Sequence, residues 1–182
     1  LGDAGIRDEA RRRTLLRLGY DSAKEQVLPG SYLADLFGAG NIGQRVAALV
    51  NRAIGAQMPL EQFRAVFRNA FLNAKMLKRH YTTLTFDLFQ RVDRTINLVY
   101  AERLGLKHAL YAGTVIETTR PFCEARNQKV YTLAEIESWA ELTFSGKPAV
   151  YDPKTDCGGY NCRHHLSWIT PQLYELLKRK QG

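Results

Sequence analysis

The sequence predicts a mainly α protein with a small C-terminal α+β module: a helical arm or bundle followed by short β-hairpin elements. Three observations lead there. Apolar residues recur at helical spacing through most of 42–104. Beyond Gly105 that period gives way to β-branched and aromatic residues over 107–117. All three cysteines and two of the four histidines then fall within 123–165, which sets this stretch apart from the rest. The expected divisions are a helical region at 1–106, a Cys/His-containing α+β module at 107–170, and a basic C-terminal tail at 171–182.

Taken in order, 6–18 is Arg-rich and weakly amphipathic and predicts a short helix that packs on a neighbour or partner. Leu28-Pro29-Gly30 breaks the chain, and Ser31 is placed to cap a helix running toward Phe37. Ile42, Val46, Leu49, Val50, Ala53 and Ile54 share one helical face. Pro59 supplies the first residue of the next helix, with Leu60, Phe63, Val66, Phe67, Ala70, Phe71, Ala74 and Leu77 on its apolar side. A further helix covers 84–104, with Leu84, Leu88, Val92, Ile96 and Val99 inward and Gly105 as its stop.

In the C-terminal third, Asn127-Gln128 turns the strand that starts at Lys107 toward a second one at 129–131. Thr132-x-x-Glu135 is a capping box opening a short helix to about 142, with Ile136 and Trp139 on its buried side. Two Gly/Pro-rich loops follow, then a last strand at 160–169 and a helical 171–180 ending in Lys178-Arg179-Lys180. Trp139 and Trp168 read as core residues of the module rather than stacking platforms.

At 182 residues, with 45% hydrophobic and 24% charged residues, the chain can bury a real core as one domain or a helical region with an appended module. No apolar run approaches the roughly 20 residues that cross a bilayer, so no membrane partner is expected and a reducing cytoplasm is the expected place of maturation. Three cysteines argue against a disulfide framework and leave thiols or metal ligands. The first residue is Leu1, which suggests a fragment or a missing N-terminal part. The net charge of +8 is unevenly spread: 60–109 holds nine Lys/Arg against four Asp/Glu, and 110–171 holds six against seven. The positive surface therefore belongs to the helices, where Arg64, Arg68, Lys75, Lys78 and Arg79 are the candidate DNA contacts; a solubilising face is the plainer account.

Cys123, Cys157, Cys162 and His164 or His165 offer the soft S and N ligands of a tetrahedral zinc site, and a metal would staple a module with little core. The candidate set is Cys123, Cys157, Cys162 and His164; against it, Cys-x4-Cys-x-His is not a standard finger spacing, and strand alternation puts Cys162 and His164 on one face and His165 on the other. Buried thiols without metal are the plainer reading. Arg120 and Arg163 each adjoin a motif cysteine and suit hydrogen bonds to loop carbonyls or to an acidic partner. Gly158-Gly159 predicts a tight turn with positive φ. Gly38-Ala39-Gly40-Asn41-Ile42-Gly43 matches G-x-G-x-x-G, but 31–37 lacks the buried strand that motif needs, so a hinge between helices is the better account. A metal-dependent nuclease using His164 or His165 lacks evident further ligands, and a Cys123–His nucleophile pair lacks an assignable orienting residue.

The order of small motifs is similar to the C-terminal region of the Mu-F-like minor head proteins of tailed bacteriophages. It runs as a long helix (84–104), a short strand (108–114), Thr119-Arg120-Pro121-Phe122-Cys123, Lys129-Val130-Tyr131 and Asn161-Cys162-Arg163, over roughly 80–170. Asn127-Gln128 stands where many members have a glycine, and Cys162-Arg163-His164 where many have Cys-Arg-Cys; the histidine keeps a metal ligand. The resemblance implies a non-enzymatic minor capsid protein inside the phage head. It implies association with the portal protein and other head proteins, and a role in head morphogenesis and in DNA packaging or ejection. Arg120, Gly158, Gly159, Asn161 and Arg163 would be structural motif residues. Double-stranded DNA contact, homo-oligomerisation, a structural zinc, a virion location and a host-cytoplasmic assembly stage are compatible with it. The alternatives are a DNA-binding module or a metal-dependent nuclease or toxin domain.

Overall fold

The computed structural model describes residues 3–29, 31, 34, 48–52, 55–71 and 81–181. The protein is mainly helical with two small antiparallel sheets, as the periodicity predicts. It forms two compact units, Leu1–Ile96 and Asn97–Gly182.

In the first unit, α1 (Asp3–Leu18) buries Ala10, Thr14, Leu15 and Leu18. Gly19, at φ 88°, turns the chain into β1 (Tyr20–Asp21), which pairs with β2 (Gln26–Val27). The intervening turn is closed by Asp21, whose Oδ1 accepts from the backbone N–H groups of Ala23 (3.0 Å) and Lys24 (3.2 Å). This hairpin has no sequence signature, because strands of two residues carry no period. Ser31 Oγ accepts from Ala34 N at 3.2 Å, as a capping residue does. The rest of that expected helix, most of the 42–54 face, the 38–43 glycine motif, and Ala74 and Leu77 lie outside the described residues.

Helix α2 (Leu60–Phe71) follows Pro59 and buries Phe63 and Phe67, whose rings stack at 5.8 Å. These phenylalanines pack with Leu15, Leu18, Leu49, Val50, Met58, Leu88 and Val92 into one core. Helix α3 (Tyr81–Arg103) supplies the last two, and also a buried ion pair, Asp87–Arg91 at 3.0 Å one turn apart. Its end is a Schellman stop: Gly105 sits at φ 66°, its N–H donates to Glu102 O, and Leu106 N donates to Ala101 O. Among the described residues no helix is long and apolar enough to cross a membrane.

The second unit is built on β3 (His108–Gly113), which lies between β4 (Lys129–Thr132) and β5 (His164–Ile169), all antiparallel. Gln128, at φ 61°, donates to Tyr111 O and closes the first connection. Alternation along β3 serves two cores. Ala109 and Tyr111 join Phe122, Cys123, Ile136, Trp139, Cys157, Cys162 and Leu166 on one face. Leu110 packs with Val130, Ile169, Tyr174 and Leu177 on the other. Between the strands lie α4 (Pro121–Glu124), α5 (Leu133–Ser138) with a 3-10 turn at Trp139–Glu141, and α6 (Pro153–Asp156). The expected helix at 171–180 is α7 (Pro171–Gln181): Tyr174 is buried, and the Gln181 side chain accepts from Val130 N and donates to Gln128 O. The last strand begins at His164 rather than 160, because Gly159 (φ 83°) and Asn161 (φ 55°) take left-handed conformations that no pleat accommodates.

The capping box is complete: Thr132 Oγ1 accepts from Glu135 N, and the Glu135 carboxylate accepts from Thr132 N at 2.7 Å. Replacing Thr132 with Ala removes one half of it, and we expect a loss of about 1 kcal/mol, read as a lower urea midpoint at unchanged slope.

Candidate metal centre

The site forms where two distant stretches of the second unit meet. Pro121 at the first position of α4 sets the helix direction and buries Phe122 and Cys123. Cys162 and His164 arrive from the loop into β5, both 2% exposed. Arg120 holds the two stretches together: Nη1 donates to Gly158 O at 3.1 Å and Nη2 to Tyr160 O at 2.7 Å. Room for its guanidinium comes from Gly146 (φ 81°), where a Cβ would lie 2.6 Å from Arg120 Nε.

Cys123 Sγ and Cys162 Sγ are 3.7 Å apart, and none of the three cysteines is in a disulfide. Two Zn–S bonds of about 2.3 Å at the tetrahedral angle place their sulfurs about 3.8 Å apart, so the pair already has the spacing of two thiolates on one ion. The ligand atoms of Cys123, Cys162 and His164 all lie within 4.8 Å of one another. Buried His164 Nε2 has no hydrogen-bond partner among the described residues. A buried imidazole nitrogen without a partner costs free energy, and a metal ion would satisfy it.

Donors converge on the sulfurs. Cys162 Sγ accepts from Gly158 N (3.2 Å) and His164 N (3.4 Å), and the Tyr111 hydroxyl donates to Cys123 Sγ at 3.3 Å. The Tyr111 ring stacks on His164 at 5.3 Å and meets Trp139 edge-on, which fixes the imidazole plane. The neighbouring Cys162 sulfur and then burial push the Cys123 thiol well above its usual range, and burial does the same to the Tyr111 phenol. Cys123, Cys162 and His164 could hold a metal ion, which would take the two sulfurs as thiolates, with the Gly158, His164 and Tyr111 donors already aimed at them.

One expected ligand is not part of the group. Cys157 is buried in the same apolar cluster but does not join the three. It follows α6 at φ 50°, and its carbonyl accepts from the Tyr151 hydroxyl at 2.7 Å. That geometry brings the Gly158 backbone, not a side chain, against the sulfurs: a Cβ on Gly158 would lie 2.1 Å from Cys123 Sγ and 3.0 Å from Cys162 Sγ. Of the glycine pair only Gly159 has the expected positive φ; close approach to the sulfurs explains Gly158. His165 is half-buried, on the opposite side of β5 from His164.

Asn161 and Arg163 are exposed and border the cluster. Cys123, Cys162 and His164 all line one cleft of about 410 Å3, with Thr118, Thr119, Ser145, Asn161 and Arg163 on its other walls. Two of the candidate DNA contacts lie among the described residues. Arg64 pairs with Glu61 at 2.7 Å, Arg68 is exposed, and Lys75, Lys78 and Arg79 lie outside the described residues. Tyr111 is the residue sequence reasoning missed. Its signal was alternation with Ala109, which puts both on the buried face of β3.

Fold and site together define a mainly α protein whose C-terminal α+β module carries a buried Cys2His group able to hold a metal ion. No family model matches the chain, and no curated protein or solved structure matches it significantly.

Gly158→Ala is expected to displace a sulfur and cost about 1–3 kcal/mol, the usual range for overpacking a filled interior. Gly55→Ala, where a Cβ meets nothing within 4 Å, serves as the near-neutral control. Denaturant unfolding of both variants checks this, and equal effects would contradict the packing account.

Proposed function

We propose that the chain is a non-enzymatic minor head protein of a tailed bacteriophage. It would sit inside the head with the portal and other head proteins, after assembly in the host cytoplasm, and act in head morphogenesis and in DNA packaging or ejection. The observation that carries the reading is the meeting of two separated motifs on which the phage resemblance rests. Thr119-Arg120-x-x-Cys123 and Asn161-Cys162-Arg163 come together through the Arg120 bonds and the paired sulfurs, across 38 to 40 residues of chain. Such a pairing gives the motif order a physical reason: each half positions the other.

The metal in this reading is zinc. Two thiolates and an imidazole are ligands that zinc takes readily, and zinc imposes no demand from d electrons on a site set by packing. The ion would tie α4 to β5 in a module with limited core. Direct contact with double-stranded DNA rests on the uneven positive charge of the helical half.

Two measurements test these statements. Quantitative mass spectrometry of purified virions should find the chain at or below the copy number of the portal protein; absence from clean particles would remove the head assignment. Metal analysis of the reduced protein should find about one zinc per chain, lost in Cys162→Ala. A folded wild-type protein without metal would reject the zinc reading and leave the head assignment untouched.

A further inference from the structure

We propose that Cys123 and Cys162 form a redox pair: a small hydroperoxide entering the adjoining cleft converts the two thiols into one disulfide, which ties α4 to the loop before β5. The reaction uses two sulfurs of the zinc reading but stands without it, because it belongs to the metal-free chain.

Three observations carry it. The two sulfurs are already in contact at 3.7 Å, and none of the three cysteines is in a disulfide. An S–S bond of about 2.05 Å requires them to close by about 1.7 Å. Neither sulfur is carried by a paired strand: α4 is a single turn, and Cys162 lies two positions before His164, where the pairing of β5 with β3 starts. Closure can therefore proceed without breaking the sheet. Both cysteines also line the cleft of about 410 Å3, whose walls include the hydroxyl-bearing Thr118, Thr119 and Ser145. Such walls suit the passage of a small polar molecule. Each cysteine is nevertheless only 2% exposed, which admits an oxidant of near-water size and works against a bulky disulfide such as oxidised glutathione.

The chemistry balances. Hydrogen peroxide transfers one oxygen atom to the first thiol, giving a sulfenic acid and one water. The second sulfur attacks the sulfenic sulfur, forms the S–S bond and releases that oxygen as a second water, which takes up the remaining thiol proton. The two thiols lose two electrons and two protons in all, and the peroxide O–O bond breaks on accepting them. The product joins residues 39 positions apart, which restricts the unfolded chain, and it removes two thiolates from any metal.

The test uses the whole chain, stripped of metal with a chelator and treated with hydrogen peroxide. Non-reducing peptide mapping should find Cys123 linked to Cys162 within one chain, with a mass loss of about 2 Da that a thiol reductant reverses. Cys157→Ser should form the same link, and the oxidised wild type should unfold at a higher urea midpoint than the reduced one. Sulfinic acid at Cys123 or Cys162 without the link, or a link through Cys157, would overturn the pair. A lower midpoint after oxidation would overturn the tie between α4 and the loop. Oxidised glutathione should react far more slowly, and a glutathione adduct at either sulfur forming as fast as the peroxide product would overturn the choice of oxidant. A link that forms equally fast with zinc present would support the pair and count against the zinc reading.

Discussion

Burial of one phenol ring on the central strand is the constraint that organises the C-terminal module. Tyr111 is fully buried on β3, the strand that hydrogen-bonds to both of its neighbours. Its ring touches Trp139 and His164, and its hydroxyl reaches the sulfurs of Cys123 and Cys162. An aromatic ring of this size contributes strongly through its apolar area, but a buried hydroxyl needs an acceptor. Thiols are weak acceptors and thiolates are stronger ones. The satisfaction of this fully buried hydroxyl is thereby coupled to the state of the two sulfurs, so packing and metal chemistry share one set of atoms.

Much of the architecture was legible because it is written in period. The apolar stripe from Leu60 to Phe71 became α2, with Phe63 and Phe67 in the core, and Gly105 closed α3 through the left-handed stop that glycine favours. Thr132 and Glu135 gave the start of α5 to the residue. What escaped has physical reasons too. The Tyr20–Val27 hairpin is held by an aspartate turn rather than by alternation. Buried Asp87, Arg91, Arg94 and Thr95 put polar groups on the inner side of α3, where a search for apolar residues finds nothing.

The site shows the same division. Composition alone singled out the cysteine- and histidine-rich stretch, and alternation separated His164 from His165. Which thiols meet was decided by backbone conformation: positive φ at Cys157, Gly159 and Asn161 bends the loop so that Gly158 and Cys162 face Cys123. Such left-handed residues are chosen by tertiary context, and neither cysteine nor a lone asparagine announces one in sequence. Arg120 illustrates the complement. Its bonding to loop carbonyls was legible, but which carbonyls it meets, some 40 positions away, was not, because a main-chain acceptor has no residue type to read.

The attachment of α7 bears on how the protein behaves when crowded. In the order β4-β3-β5, strand β4 is an outer strand, and outer strands offer unpaired backbone groups to any passing chain. Gln181 occupies part of that row by accepting from Val130 N, while its amide donates to Gln128 O. Tyr174 and Leu177 seat the helix that carries it. The last turn of α7 thus covers part of this edge against intermolecular strand addition, and a chain that lost the Gln181 side chain would expose that row to self-association.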